Sequence, residues 1–408
     1  NPNRAGHYYT PASGFVRYYK PAWQHYAQTP ALGSDVVAPW EGGGSGGGHV
    51  EPGVEEVRQS LDDAVWKRMM SDVKFGMFLS GGIDSCIIGQ LMLAHCRAHL
   101  GPEHHSPPSF TVGMADSPDL MAAREMARLL GTTHHEKIFT TDEAIGVIED
   151  VVYHMETYNA ELIRSAVPNY FLAQLAKEHG VKMVLTGEGA DELWGGYAYF
   201  QDAPSAGAVH RELVRIYNHL GVANLLRTDR MTMAHGVEAR VPFLDTLNTA
   251  LTMGVHPRRK LFDAARFAET GEPGEKAYLR RAFERTHGGV TISQPLLWRA
   301  KAMQCEGVGE DWVSQLQAAV SARVTDAQLA DAPTRFPHNT PVTKEEYYYR
   351  HLFDSHYPGC DAVPTLWNGG CRAGGAEWDS ASYTREGLAD VSRLTHSLQG
   401  KYAQEAAA

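Results

Sequence analysis

The sequence predicts an α/β fold: a doubly wound parallel sheet followed by a mainly helical region. Three observations lead there. Short apolar runs alternate with helical patterns of ten to fifteen residues as far as residue 185. Glycine-rich loops follow two of those runs directly, at SGGIDS and TGEGADE. From about residue 210 the strand-like runs stop and helical patterning takes over.

Taken in order, the first forty residues centre on HYYTPASGFVRYYKPAW, aromatic and strand-like but too short for a core of their own. EGGGSGGGH, within segment 41–50, is flexible coil by composition, whether a natural insertion or an engineered linker. VEEVRQSLDDAVWKRMM then sets Val54, Val57, Leu61, Val65 and Met69 on one helical face. KFGMFL (74–79) is a short apolar strand, and SCIIGQLMLAHCRAHL a helix. SFTVG (109–113) is a strand, DLMAAREMARLLG a helix closed by glycine, and TDEAIGVIEDVVYHM a further helix. PNYFLAQLAKEHG is a helix with Pro168 near its start and Gly180 at its end, and KMVL (182–185) is a buried strand. Beyond 330 the chain becomes loop-rich, with Pro, Gly and Trp scattered through 333–380.

Bulk properties narrow the function. The 408 residues suffice for a large core, and 43% hydrophobic with 21% charged residues is ordinary for a globular protein. The 37 basic against 48 acidic residues give −11, which argues against sequence-independent nucleic-acid binding. No run reads as a membrane span or a signal peptide. Cysteines 86, 96, 305, 360 and 371 are odd in number and lack CxxC spacing, so they are expected to be buried thiols of a cytoplasmic or organelle-matrix protein. His134 and His135 are adjacent in GTTHHEKIF, a loop entering a strand, and neighbours on a strand face opposite ways, which disfavours a shared metal.

The chemistry is expected at the two loops. In SGGIDS, Gly81 and Gly82 let the backbone approach an anion, and the following helix directs free N–H groups at it. Ser80 and Ser85 add hydroxyls. Asp84 would repel a phosphate unless a cation such as magnesium lay between them. In TGEGADELWGGY (186–197), Glu188, Asp191 and Glu192 crowd a second loop, again costly without a compensating cation. LLRTDRMTMAHGVEARVPFLD supplies Arg227, Arg230 and Arg240; for Arg227 and Arg230 a structural ion pair is expected. LLWRAKAMQCEGVG places Lys301 in a mostly uncharged stretch, as a snorkelling surface lysine or a stabiliser of phosphoryl charge.

These segments resemble a known family. SGGIDS is similar to the PP-loop of ATP pyrophosphatases, whose fold is adenine nucleotide alpha hydrolase-like. TGEGADELWGGY, DRMTMAHGVEARVPFLD and WRAK…GVG together resemble the synthetase domain of glutamine-hydrolysing asparagine synthetases, over about residues 50 to 360. The resemblance implies ATP- and magnesium-dependent activation of aspartate as β-aspartyl-AMP, release of pyrophosphate, and attack by ammonia to give asparagine and AMP. It implies that Ser80, Gly81, Gly82, Asp84 and Ser85 cradle pyrophosphate, that Leu79 and Val112 line the adenosine pocket, and that Thr186 and Gly187 reach the nucleotide. Asp84 and Asp191 would hold magnesium, Glu188 would serve the acyl-adenylate step, Lys301 would stabilise charge, and Arg164 would help fix the amino acid.

On this resemblance 1–40 is the remnant of a glutaminase domain, 51–360 the synthetase domain and 361–408 a loop-rich tail. Within the domain, about 70–200 is the nucleotide-binding core and about 205–330 its helical part. Glutamine-using relatives begin with a nucleophilic cysteine, whereas this chain opens NPNRAGHYY, so a glutaminase partner is expected in cis or trans. A homodimer is compatible with the family. Leu162 and Asn224 stand where some relatives carry threonine and aspartate, which bears on the amino acid accepted. The rivals are a β-lactam synthetase-like amide ligase, whose second loop would carry tyrosine where Glu188 stands, and a non-catalytic scaffold that kept the fold.

Overall fold

The structure is a computed structural model that describes residues 6–24, 51–271, 273–300, 307–309 and 311–360. Its centre is a five-stranded sheet in the order β5-β4-β3-β6-β7, parallel throughout. The strands are β3 (Phe75–Phe78), β4 (Pro108–Gly113), β5 (Thr133–Ile138), β6 (Met183–Leu185) and β7 (Glu238–Arg240). Every residue of β3, β4 and β6 is buried, as expected of inner strands covered by helices on both faces. The residues of β3 and β6 alternate between two cores. Met77, Met183 and Leu185 enter one with Val57, Leu61, Ile87 and Leu91, while Phe78 and Val184 enter the other with Ile148, Val152 and Phe171.

Helix α1 (Val54–Arg68) packs beside α2 (Ile83–His99), which crosses from β3 to β4. Helix α3 (Pro118–Leu130) joins β4 to β5, starting on a Ser117 cap with Pro118 behind it and stopping at Gly131. Helices α4 (Thr141–Met155) and α5 (Ala160–Glu178) return the chain across β4 and β3 to β6. The chain therefore leaves β3 in one direction and comes back on its other side. The loops after β3 and β6 meet at that switch point, where open α/β sheets bind ligands. Helices α6 (Ala190–Trp194), α7 (Ala206–His219) and α8 (Asn224–Met233) connect β6 to β7. The helical region continues through α9 (Thr246–Gly254), α10 (Ala264–Thr270) and α11 (Ala277–Ala282).

Three expectations need correction. Helix α5 begins eight residues before Pro168, capped by Asn159 accepting from Leu162 N at 3.1 Å, so the proline lies inside it. A proline there cannot donate to the Arg164 carbonyl one turn back. The indole Nε1 of Trp312 donates to that carbonyl instead, at 3.3 Å. The region past 330 is less loop-rich than its composition suggests, because Lys344–His356 is a helix with a Thr343–Glu346 capping box. Cys86 and Cys96 are buried, their thiols pushed up to about 12 and about 11 by burial, but Cys360 is exposed. Cys305 and Cys371 lie outside the described residues.

HYYT and GFVR pair as an antiparallel hairpin, β1 (His7–Thr10) with β2 (Gly14–Arg17). Trp23, just beyond it, is buried against Tyr217, ring edge to ring face at 5.2 Å. At the sheet edge, His134 Nδ1 lies 2.8 Å from Ser109 Oγ while His135 stacks on Phe110 and His179, so the two imidazoles do face apart. Among the described residues no helix is long and apolar enough to cross a membrane.

Candidate functional site

One cleft opens beyond the carboxyl ends of β3, β4 and β6. Leu79, Ser80, Asp84 and Ser85 line it from the first loop, Val112 from β4, and Thr186, Gly187, Glu188 and Asp191 from the second loop. Phe78, Phe110 and Leu172 give this wall an apolar surface suited to a flat heterocycle. Gly81 and Gly82 shape the first loop without lining the cleft, and Gly82 is the residue on which α2 begins.

The first loop is held by its own hydrogen bonds. Ser85 Oγ accepts from Ser80 N at 3.2 Å and donates to the Gly82 carbonyl at 3.0 Å. Free backbone donors at the start of α2 are thereby fixed before any anion arrives. The two loops touch because residue 187 is glycine: a Cβ there would lie 2.9 Å from the Asp84 backbone and side chain.

Across that contact, Asp84 and Asp191 point at one position. It is filled by the ammonium of Lys276, 2.8 and 2.6 Å from the two Asp84 oxygens and 2.5 Å from Asp191 Oδ1. Two facing carboxylates around one cation-sized position suit magnesium, which takes one or two protein carboxylates and completes its shell with phosphate and water. Sequence reasoning missed Lys276. In GEKAYLRR it looks like any surface lysine, and only the fold shows that it is buried.

Lys301 lies outside the described residues, but both flanks of its segment are anchored at this cleft. Before it, Arg299 pairs with Asp119 at 2.6 Å. After it, the Gly307 carbonyl accepts from Ser117 Oγ at 2.6 Å and the Val308 carbonyl from Met114 N at 2.6 Å. Asp119 and Val308 both line the cleft.

The far wall is polar. Glu188 accepts from Arg227 Nη2 at 2.8 Å and from Thr228 Oγ1 at 3.2 Å. Behind it, buried Glu192 accepts from the Tyr197 hydroxyl and from Asn224 Nδ2, the latter at 2.8 Å. Burial, with Asp191 beside it, pushes the Glu192 carboxyl up to about 7. Asn224 Nδ2 also donates to Tyr197 Oη at 2.7 Å, so both amide hydrogens face inward and Oδ1 is left as an acceptor.

Two arginines differ in where they sit relative to the cleft. Arg227, expected in a structural ion pair, lines the cleft with its partner Glu188. Arg164, expected at the amino acid, is instead turned onto Glu345 with Nε–Oε1 at 2.7 Å, and it is not part of the cleft wall. Glu345 also accepts from Gln317 and Tyr349, which ties Arg164 into the packing of α5 against the 344–356 helix. Arg230 pairs with Glu156 at the surface, as expected of a structural pair.

Comparison with known proteins agrees with this architecture. The asparagine synthase family profile matches residues 56–207 and 201–385. The chain is 38% identical over 389 residues to the glutamine-hydrolysing asparagine synthetase of Brassica oleracea, covering 92% of this chain and 61% of that protein. It is 39% identical over 385 residues to that of Asparagus officinalis, covering 92% of this chain and 60% of the relative. Against asparagine synthetase B of Escherichia coli K12 the identity is 39% over 336 residues, covering 80% and 58%. The chain thus spans about three fifths of the length of the curated relatives it matches. With a parallel sheet, two acidic glycine loops meeting at its switch point, and this match over most of its length, the chain belongs to the asparagine synthase family.

Proposed function

We propose that this chain is an ATP-dependent amide ligase that makes asparagine from aspartate through β-aspartyl-AMP, with ammonia as the nucleophile. The observation that carries it is the meeting of Asp84 and Asp191 around one cationic position in a cleft lined by both loops.

Adenosine fits the apolar wall of Leu79, Phe110 and Val112, and the phosphates fall on the Ser80–Ser85 loop. Asp84 and Asp191 would hold the magnesium, which would supply charge neutralisation on the phosphates. The substrate carboxylate oxygen attacks the α-phosphorus, the bond to the bridging oxygen of the β-phosphate breaks, and pyrophosphate leaves. The two partners are both anions, so fixed geometry and nearby positive charge supply most of the rate. Lys301, between Arg299 and Gly307, which bond to Asp119 and Ser117 beside the cleft, is the side chain we assign to the charge developing on the α-phosphate.

Ammonia then attacks the acyl carbon, the carbon–oxygen bond to AMP breaks, and nitrogen loses one proton. Glu188 is placed to accept that proton or to orient the intermediate, held ready by Arg227 and Thr228. Asn224 Oδ1, facing away from its two acceptors, offers the substrate ammonium a neutral acceptor.

The direct test is incubation with ATP, Mg2+, aspartate and ammonium, following pyrophosphate and asparagine. Asp84→Asn and Lys301→Ala should each abolish pyrophosphate release in a folded protein, and near-normal turnover in either would overturn its role. A screen of amino acids for pyrophosphate release separates asparagine formation from another ligation. Release with a different amino acid alone would replace aspartate as the substrate.

A further inference from the structure

We propose that Lys276 is a tethered cation that closes the Asp84–Asp191 pair to free divalent metal until the phosphates of a nucleotide draw its ammonium away. This rests on the ligase reading for the identity of the nucleotide; the closed pair itself is independent of it.

The geometry is built for that purpose. The Lys276 side chain has no exposed surface, and its ammonium touches both carboxylates. Its backbone adopts φ 55° and ψ 23°, a left-handed conformation that non-glycine residues rarely take. The strained residue stands immediately before α11, on a segment separate from both acidic loops. Movement of one side chain therefore opens the pair without moving either loop. Gly196 completes the enclosure: a Cβ there would fall 2.0 Å from Asp191 Oδ1 and 2.1 Å from Lys276 Cε.

Charge then sets an order of binding. Two carboxylates and one ammonium carry a net single negative charge, a weak trap for a divalent cation that must also share the space. A polyphosphate changes the balance, because it offers the ammonium new anionic oxygens and the metal additional ligands. Metal and nucleotide are admitted together, and metal alone pays the fraction of time the pair stands open.

The probe is Mn2+ titrated into nucleotide-free protein, with the free ion read by electron paramagnetic resonance. Lys276→Met and Lys276→Gln should bind Mn2+ about tenfold tighter than wild type or better, and Mn2+-pyrophosphate about tenfold weaker. Millimolar Mg2+ should raise the Tm of Lys276→Met and leave that of the wild type nearly unchanged. Equal Mn2+ affinity in wild type and variants overturns the proposal. So does failure of both variants to fold even in millimolar Mg2+, since the ammonium would then be a structural element that metal cannot replace. The titration contains neither ATP nor aspartate, so a chain that forms no AMP can still show the tenfold difference.

Discussion

The Arg164–Glu345 and Arg227–Glu188 pairs differ in what surrounds the carboxylate. Arg164 and Glu345 are both largely buried, and Gln317 and Tyr349 take up the remaining capacity of the acid. Burial by itself disfavours the charged guanidinium, but the hydrogen bond and charge of Glu345 outweigh it and hold Arg164 above the usual arginine range. Arg227 is similarly enclosed, yet its partner Glu188 keeps 18% of its side-chain surface open to the cleft. The first pair leaves its acid almost no open surface and ties α5 to the 344–356 helix. The second leaves its acid partly open to the cleft. What separates a pair facing the cleft from one turned into the packing is therefore the neighbourhood of the acid and not the arginine.

The largest effects should come from cutting each pair at its arginine. Arg227→Met leaves Glu188 without its guanidinium and should lower kcat/KM for pyrophosphate release by about 100-fold or more. Its urea midpoint should move little, because Glu188 can turn to water. Arg164→Met should do the reverse. It strands Glu345, only 4% exposed, and should cost about 3–5 kcal/mol of stability while turnover per folded molecule stays near wild type. Urea unfolding and a pyrophosphate assay on both variants decide the matter. A catalytic collapse in Arg164→Met with an unchanged midpoint would restore it to the substrate and break the comparison.

The placement of these two arginines shows what sequence could and could not reveal. The acidic glycine loops were readable because glycine and carboxylate at a strand end have few structural uses, and Ser80, Asp84, Thr186 and Asp191 all line the cleft. Arginines are different. Arg164 sits among apolar residues in ELIRSAVPNY and Arg227 among apolar residues in NLLRTDR, so local context treats them alike. Their partners, 181 residues away in one case and 39 in the other, are set by tertiary packing. Lys276 was hidden for the same reason, since its two acids belong to loops distant in the chain. The inner strands β3, β4 and β6 were legible from apolar runs, whereas β7 was not: Glu238–Arg240 is polar and lies past residue 210, where strand-like runs were expected to stop. The start of α5 was not legible either, because Pro168 reads as a helix start until Trp312 is seen replacing its lost hydrogen bond.

Another buried cation sharpens the contrast by having no acid against it among the described residues. Lys260 is 2% exposed, its ammonium lies 5.4 Å from the Trp194 ring centre and 3.8 Å from Met253 Sδ, and burial brings its amine down to about 7. In the unfolded chain this lysine stays charged up to about pH 10.5, so between about 7 and 10.5 the unfolded state binds the extra proton and stability rises with pH. At pH 7 and below, the folded chain carries the full cost. Lys260→Met should therefore stabilise the protein by about 2–4 kcal/mol at pH 7, with the gain shrinking toward nothing near pH 10. Thermal unfolding of both proteins across that range measures it. A variant less stable than wild type at pH 7 would mean that the ammonium has an anionic partner after all.

The smallest effect tests whether Arg164 is held by its backbone as well as its side chain. Pro168 withdraws the donor that the Arg164 carbonyl would otherwise receive, and the Trp312 indole supplies one from outside the helix. Trp312→Phe removes that donor but also trims a ring that is fully buried against Phe139, so its cost alone cannot be assigned to the hydrogen bond. A double-mutant cycle separates the two. In Pro168→Ala the new backbone N–H can donate to the Arg164 carbonyl, so losing the indole should leave nothing unsatisfied. Trp312→Phe should then cost about 1 kcal/mol less in the Pro168→Ala background than in wild type, measured by urea unfolding. An equal penalty in both backgrounds would show that the indole merely fills space, and that Arg164 is fixed by Glu345 alone.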